Sequence, residues 1–432
     1  MEEKYALLLK NIQQLVTCSN KNGKPKSGGE LLDVHEIADG AVLVEGEKIK
    51  MVGTTKAVDD YIKSKGRAIK IERELSLRGK TVMPGFVDPH THMLFSGSRE
   101  TEFAMRVAGK SYLEILNAGG GILNTLKNIR MSTEDELYRE THRRVELALM
   151  HGTTSMEIKS GYGLDHENEI KSLNVINKLS KQPNFTIVPT YMGAHAIPPE
   201  YKNDREGYIS AIINKIIPYV AEKKLAKFND VFVEAGVFTV EEGRNILEAG
   251  KKCGLIPKVH ADEITECGGA RLAAEMGAIS ADHLLMASDE GLAAMRDKGV
   301  VAVCLPGTLY SLLSSSYLSF DRLMKIGVPM ALATDANPGS NMCLSMQTAI
   351  NQAVLLMRTP PAAAINMATI NSAHAIGVAR ERGSIEVGKY ADMVVLEGMS
   401  YNYLPYCYGT NLVEFVIKNG SAYKVSKSLT LV

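Results

Sequence analysis

The chain changes rhythm twice. Between residues 81 and 382, short runs rich in Val, Ile, Ala and Thr alternate with longer stretches in which apolar positions recur every three or four residues. The short runs predict strands at 81–89, 153–159, 185–192, 230–235, 256–260, 278–283, 300–305 and 328–334. Helical stretches fall between most of them. One opens at Thr133 with Glu136 three residues on, a capping-box pattern, and stops at Gly152. Another is predicted over 266–276. Eight strands with intervening helices are the count of a (β/α)8 TIM-like barrel, an α/β fold.

The flanking segments read differently. "YALLLKNIQQLVT" and "GAVLVEGEKIKMVG" near one end, and "GSIEVGKYADMVVLEG" and "EFVIKNGSAYKV" near the other, are strand-like runs broken by Gly turns. Neither end has enough strands to close a core alone. The expectation is one small β-sandwich domain built from residues 1–80 and 383–432, with 81–382 forming a metal-dependent catalytic barrel.

Charge narrows the partners. Lys+Arg and Asp+Glu are 49 each, a formal net charge of +0 over 432 residues. There is no basic excess or cluster of the kind a nucleic-acid binder carries. No apolar stretch reaches the ~18 residues of a spanning helix, and the acidic opening "MEEKYALLLK" lacks the basic start of a signal peptide. The six cysteines are scattered without a C-x-x-C, which suits free thiols in a reducing compartment. A soluble cytoplasmic protein acting on a small molecule is expected, without nucleic-acid or membrane partners; a homodimer is left open.

Candidate chemistry falls at the strand ends. Barrel enzymes work at the C-terminal ends of their strands. Here those ends carry His90 and His92 in "PHTHM", His195 in "GAHAIP", His260 and Glu263 in "HADE", His283 in "SADHL" and Asp335 in "ATDANPGS". Each has a structural reading too. Asp335 can shape a turn, Glu263 can cap a helix, and His283 beside Asp282 can be a satisfied core histidine. Together they converge on one barrel mouth. His90, His92, His260 and Asp335 supply three imidazoles and a carboxylate, a set that suits Zn²⁺ or Fe²⁺ with a position left for water. One Zn²⁺ or Fe ion per chain is expected. Glu234 and Lys159, at other strand ends, offer a second-metal alternative that nothing adjacent supports. The remaining histidines (His35, His142, His151, His166, His374) read as surface or core residues.

This set resembles the amidohydrolase superfamily, whose members share the barrel, the first-strand H-x-H and a small β domain made from both chain ends. Within it, "PGFVDPHTHMLFSGSRETEFAMR", "SYLEILNAGGGI", "KSGYGL", "GAHAIP", "HADE", "GGARLAAEMGAISADHL", "LPGT" and "ATDANPGS" together are similar to the imidazolonepropionase family. The resemblance implies hydrolysis of the cyclic amide C–N bond of 4-imidazolone-5-propanoate to N-formimino-L-glutamate, a step of histidine degradation. By motif it puts the metal on His90, His92, His260 and Asp335. It puts substrate contacts on Arg99, Tyr162, His195, Glu263, Asn337, Gly339 and Ser340, and makes Glu263, His283 and Asp335 catalytic.

The residue chemistry agrees with a small anionic heterocycle as substrate. Its propionate needs a cation, and Arg99 follows the first metal-binding strand; pairing with Glu100 or Glu102 at the surface is its structural alternative. Tyr162 lies between glycines that let backbone approach a ligand, and the "NPG" turn offers backbone N–H groups. A metal ion lowers the pKa of water from 15.7 to about 7, Asp335 or His283 can handle that water, and Glu263 can protonate the departing nitrogen. A deaminase of the same superfamily is the nearest alternative, and a non-catalytic barrel scaffold is a more distant one.

Overall fold

The run that begins at residue 80 does not stay in one sheet. In the computed structural model, which describes residues 5–66, 69–110, 114–115, 118–426 and 429–431, the single strand expected at 81–89 is two. Lys80–Pro84 pairs with the chain ends, whereas Phe86–Asp88 is the first barrel strand, β1. Gly85 makes the switch. A Cβ there would collide with the Thr154 side chain, and the Gly85 N–H bonds back to Asp392 O while the Phe86 N–H bonds forward to Gly152 O. The periodicity was continuous because both halves are buried.

The other barrel strands are β2 (Thr153–Lys159), β3 (Thr186–Ala194), β4 (Phe228–Val233), β5 (Ile256–Ala261), β6 (Ser280–His283), β7 (Val301–Cys304) and β8 (Met330–Leu332). They run parallel in sequence order, as an eight-stranded sheet. The seam between β8 and β1 is joined just past the strand ends. The Asp335 N–H bonds to His90 O at 3.1 Å and the His92 N–H to Ala336 O at 2.9 Å. The closing hydrogen bonds therefore set the two histidines beside the aspartate.

Helices cover the barrel. Glu134–Met150 begins with the expected capping box at Thr133 and Glu136. It buries Leu137, Thr141, Val145, Ala148 and Leu149, a stripe at helical spacing. The helix predicted over 266–276 starts later, as Gly269–Met276, because the Asp262 carboxylate takes the N–H groups of Cys267, Gly269 and Ala270 and so forms its entry.

The second sheet has nine strands from both chain ends. Val82 stands opposite Val395, joining the entry to the barrel with the return from it. Leu9, Ile12, Val42, Val82, Val395 and Ile417 share one buried apolar core. Among the described residues no helix is long and apolar enough to cross a membrane, and all six cysteines are free.

Candidate metal centre and active site

Five histidines meet at the C-terminal mouth of the barrel. The rings of His90, His92, His195, His260 and His283 form a chain of neighbours, from 4.4 Å between centroids for His90–His260 to 6.1 Å for His195–His260. His35 pairs with Asp33, His142 with Glu146, His166 packs on Tyr219, His374 meets Asn20 and His151 ends a helix, all away from this cluster.

Hydrogen bonds fix how two of the rings face. His90 Nδ1 lies 2.6 Å from Asp282 Oδ2, and His260 Nδ1 lies 3.2 Å from Asp230 Oδ1. A carboxylate accepts, so each Nδ1 carries the hydrogen and each Nε2 keeps its lone pair. His90 Nε2 is buried without a hydrogen-bond partner. His92 Nε2 and His260 Nε2 are 3.2 Å apart, and Asp335 Oδ1 is 3.4 Å from His90 Nε2 and 3.8 Å from His92 Nε2. Ligands of a tetrahedral zinc ion, each 2.0–2.2 Å from it, stand about 3.3–3.6 Å from one another. These three separations, 3.2 to 3.8 Å, are close to that ligand spacing. Ligand atoms of His90, His92 and Asp335 lie within 4.8 Å of one another, as do those of His90, His260 and His283. Asp335 and His283 have positive φ, 54° and 76°, a conformation that costs energy in non-glycine residues.

Beneath these rings lies a buried charge cluster. Lys159 Nζ is 2.7 Å from both Glu157 Oε2 and Asp230 Oδ2, and Lys258 Nζ is 3.3 Å from Glu157 Oε1 and 3.6 Å from Asp282 Oδ2. Burial opposes the Lys159 charge, but Asp230, Glu157 and Asp282 outweigh it and raise its pKa. With Asp335, two lysines face four carboxylates, so the fully ionised cluster has two excess negative charges. Burial pushes Asp335 up to about 7, and burial pushes His260 down to about 3 against the pull of Asp230. A divalent cation would neutralise the excess and relieve both, so the residues fit a metal ion. Lys159 is consumed by this network. Glu234 accepts from the backbone N–H groups of Ile264 and Thr265 and from the Thr265 hydroxyl. The Glu234 carboxylate therefore braces the loop that carries Glu263.

A cavity of about 500 Å³ opens over the cluster and is lined by His92, Arg99, Tyr162, His195, His260, Glu263, His283, Asp335, Asn337, Gly339 and Ser340 among others. Every site residue singled out from the sequence except His90, which lies wholly buried behind the wall, reaches this cavity. Glu263 Oε1 is 3.5 Å from His283 Nδ1. Burial, then the charge of Glu234, pushes the Glu263 carboxyl up to about 7. His195 Nδ1 meets Gly161 O at 2.9 Å, and its ring stacks on His92; burial pushes it down to about 4, leaving it neutral near pH 7. Burial also raises the Tyr162 phenol. In the "NPG" turn the Gly339 and Ser340 N–H groups donate to Asn337 Oδ1 at 2.8 and 2.7 Å. The expected free backbone donors are thus taken, and what this turn offers the cavity is its shape. Parts of "SYLEILNAGGGI", at 111–113 and 116–117, lie outside the described residues.

Several supports had no sequence signal of their own. Thr308, inside "LPGT", donates to Asp335 Oδ2 at 2.5 Å. Asp230, Asp282, Glu157 and Lys258 sit in strands where only their inward alternation marks them. Arg99 lines the cavity and is also bidentate to Glu102, in the cavity wall rather than at the surface.

The model of the amidohydrolase family matches residues 81–427. The imidazolonepropionase of Geobacillus thermodenitrificans is 48% identical over 96% of this chain and 97% of its own. That of Clostridium tetani is 45% identical over 98% of this chain and 100% of its own. The chain belongs to the imidazolonepropionase family of amidohydrolases. Its fold is that of a zinc-bound adenosine deaminase from Xanthomonas campestris, with a TM-score of 0.72 at 18% identity, covering 98% of this chain and 94% of that one. A triazine hydrolase variant gives 0.73 at 13% identity, covering 99% and 96%. Membership of the family and the histidine cluster together imply a bound metal ion.

Proposed function

We propose that this chain hydrolyses 4-imidazolone-5-propanoate to N-formimino-L-glutamate, adding one water across the cyclic amide C–N bond. The observation that carries this reading is one cavity lined by two chemically different sets of groups. One is a histidine–carboxylate cluster suited to a cation, and the other is the pair of guanidinium groups of Arg99 and Arg106. A heterocyclic amide bearing a propionate has a partner for each. A deaminase substrate without a carboxylate leaves the guanidinium groups without a role.

His90, His92, His260 and Asp335 would hold one metal ion, with Zn²⁺ and Fe both compatible with the N/O donor set. When bound, the ion supplies Lewis acidity to a water and to the ring carbonyl. The chain's own residues then have separable tasks. Asp335 accepts a proton from the attacking water. His283 orients that water or steadies charge on the carbonyl oxygen. As the C–N bond breaks, Glu263 gives its proton to the departing ring nitrogen; its raised pKa keeps that proton available near neutrality. Tyr162 and His195 form the wall against which the ring stacks, with Asn337, Gly339 and Ser340 closing the far side. The free cysteines support a cytoplasmic setting.

The test is loss of the ultraviolet absorbance of 4-imidazolone-5-propanoate with the purified protein, together with recovery of N-formimino-L-glutamate. Release of ammonia without ring opening would favour a deaminase instead.

A further inference from the structure

Arg99 is already committed. Its Nε donates to both Glu102 oxygens at 2.9 Å and its Nη2 donates to Glu102 Oε2 at 2.7 Å. The pair lies mostly buried in the cavity wall and is neutral as a unit. Arg106 follows on the same helix, Glu100–Val107, and lines the same cavity. It pairs with no carboxylate among the described residues. Among the described residues its Nη1 and Nη2 reach only Gly339 O, each at 3.3 Å, and its Nε is buried without a hydrogen-bond partner.

The two guanidinium groups converge on Gly339. A Cβ on that residue would collide with Arg99 Nη1, while its carbonyl receives Arg106. Burial, then the neighbouring Arg99 charge, lowers the Arg106 pKa, with Glu102 opposing. Lys110 also lines the cavity but is half-exposed and paired with Glu114 at 2.9 Å. Among the described residues, and apart from the Lys110–Glu114 pair, this wall therefore holds two guanidinium groups and one carboxylate. One positive charge is left unmatched, with a buried N–H unsatisfied, and a single carboxylate on a ligand would complete it.

We propose that Arg106 is the residue that selects the substrate's propionate, with Arg99, held in place by Glu102, as the second donor. This rests on the function proposed above and adds the source of its anion specificity. Arg99 supplies a fixed Nη1 edge. Arg106 supplies the uncompensated charge. The site is thereby set for one carboxylate and discriminates against a neutral side chain.

The experiment compares 4-imidazolone-5-propanoate with its propionamide analogue, which keeps the ring and removes the charge. The metal-loaded parent comes first: no turnover of either compound would fail the proposed function itself, separately from the role of Arg106. Given parent turnover, Arg106→Gln should lower the acid-to-amide ratio of kcat/KM at least tenfold, with metal content as in the parent. A ratio within threefold of the parent overturns the proposal and leaves recognition to Arg99. Should Arg106→Gln fail to fold, Arg106→Lys decides. It keeps the charge but loses the fork, so the ratio should fall by less than tenfold yet by more than threefold. Equal losses on acid and amide would mean that Arg106 only shapes the wall.

Discussion

His90 donates its Nδ1 hydrogen to Asp282 across 2.6 Å, and both side chains are fully buried. The bond turns the lone pair of His90 Nε2 toward His92, His260 and Asp335. Asp282→Asn should keep the barrel and weaken the metal site, because an amide can fix the wrong tautomer. Loss of such a partner typically costs about 10–100-fold in metal affinity or activity. Competition with a chelator of known affinity would measure it. Parent-like affinity would show that packing alone orients His90.

One metal ion per chain is expected, by elemental analysis of the purified protein. His260→Ala should lose it, since one of the four proposed ligands is gone. Two tightly held ions per chain would contradict the single site, because Lys159 and Glu234, the other polar strand ends, are both occupied by protein partners.

The histidine–carboxylate cluster was legible in the sequence because strand ends gather on one barrel face and H-x-H places two imidazoles on one side. The charge layer beneath them was not. Lys159, Lys258, Glu157 and Asp230 look like the polar positions of half-exposed strands, and only barrel closure turns them inward. Similarly, nothing in the run from Lys80 to Asp88 marks the change of sheet, apart from a glycine whose need appears only when Thr154 packs against it. Arg99 was visible as a cation with Glu100 or Glu102 as possible partners, but which of the two it takes depends on the helix that starts one residue later.

Glu263→Gln should retain metal and lose most of its kcat, with KM changed little, as fits a proton donor needed in the transition state. Turnover within a few-fold of the parent would reduce Glu263 to a positioning role. The same variant carries a stability signature. The folded pKa of Glu263 is raised to about 7 from its ordinary 4.5, so its contribution is full below about 4.5 and is lost as pH rises through about 7. Glutamine has no proton to lose. Thermal unfolding should therefore find the variant more stable relative to the parent at pH 8 than at pH 5; an identical difference at both would contradict the buried, raised carboxyl.

Arg99→Met should raise KM for the acid substrate and leave the metal in place. A charge-assisted hydrogen bond contributes ~1.5–3 kcal/mol, or roughly 10- to 150-fold in KM when ground and transition states share it. Part of that loss comes from Glu102, left unpaired and repelling the carboxylate. Arg99→Met combined with Glu102→Gln should therefore bind better than Arg99→Met alone. Equal or worse binding in the double variant would show that Glu102 exerts no such repulsion.

The most direct measurement is single-substrate turnover of 4-imidazolone-5-propanoate by the metal-loaded protein, before and after chelation. Loss of ring absorbance with stoichiometric N-formimino-L-glutamate, abolished by the chelator and restored by Zn²⁺ or Fe²⁺, is the expected result. Undiminished ring opening after the metal has been removed, or no ring opening with it fully bound, would contradict a metal-dependent cyclic-amide hydrolase.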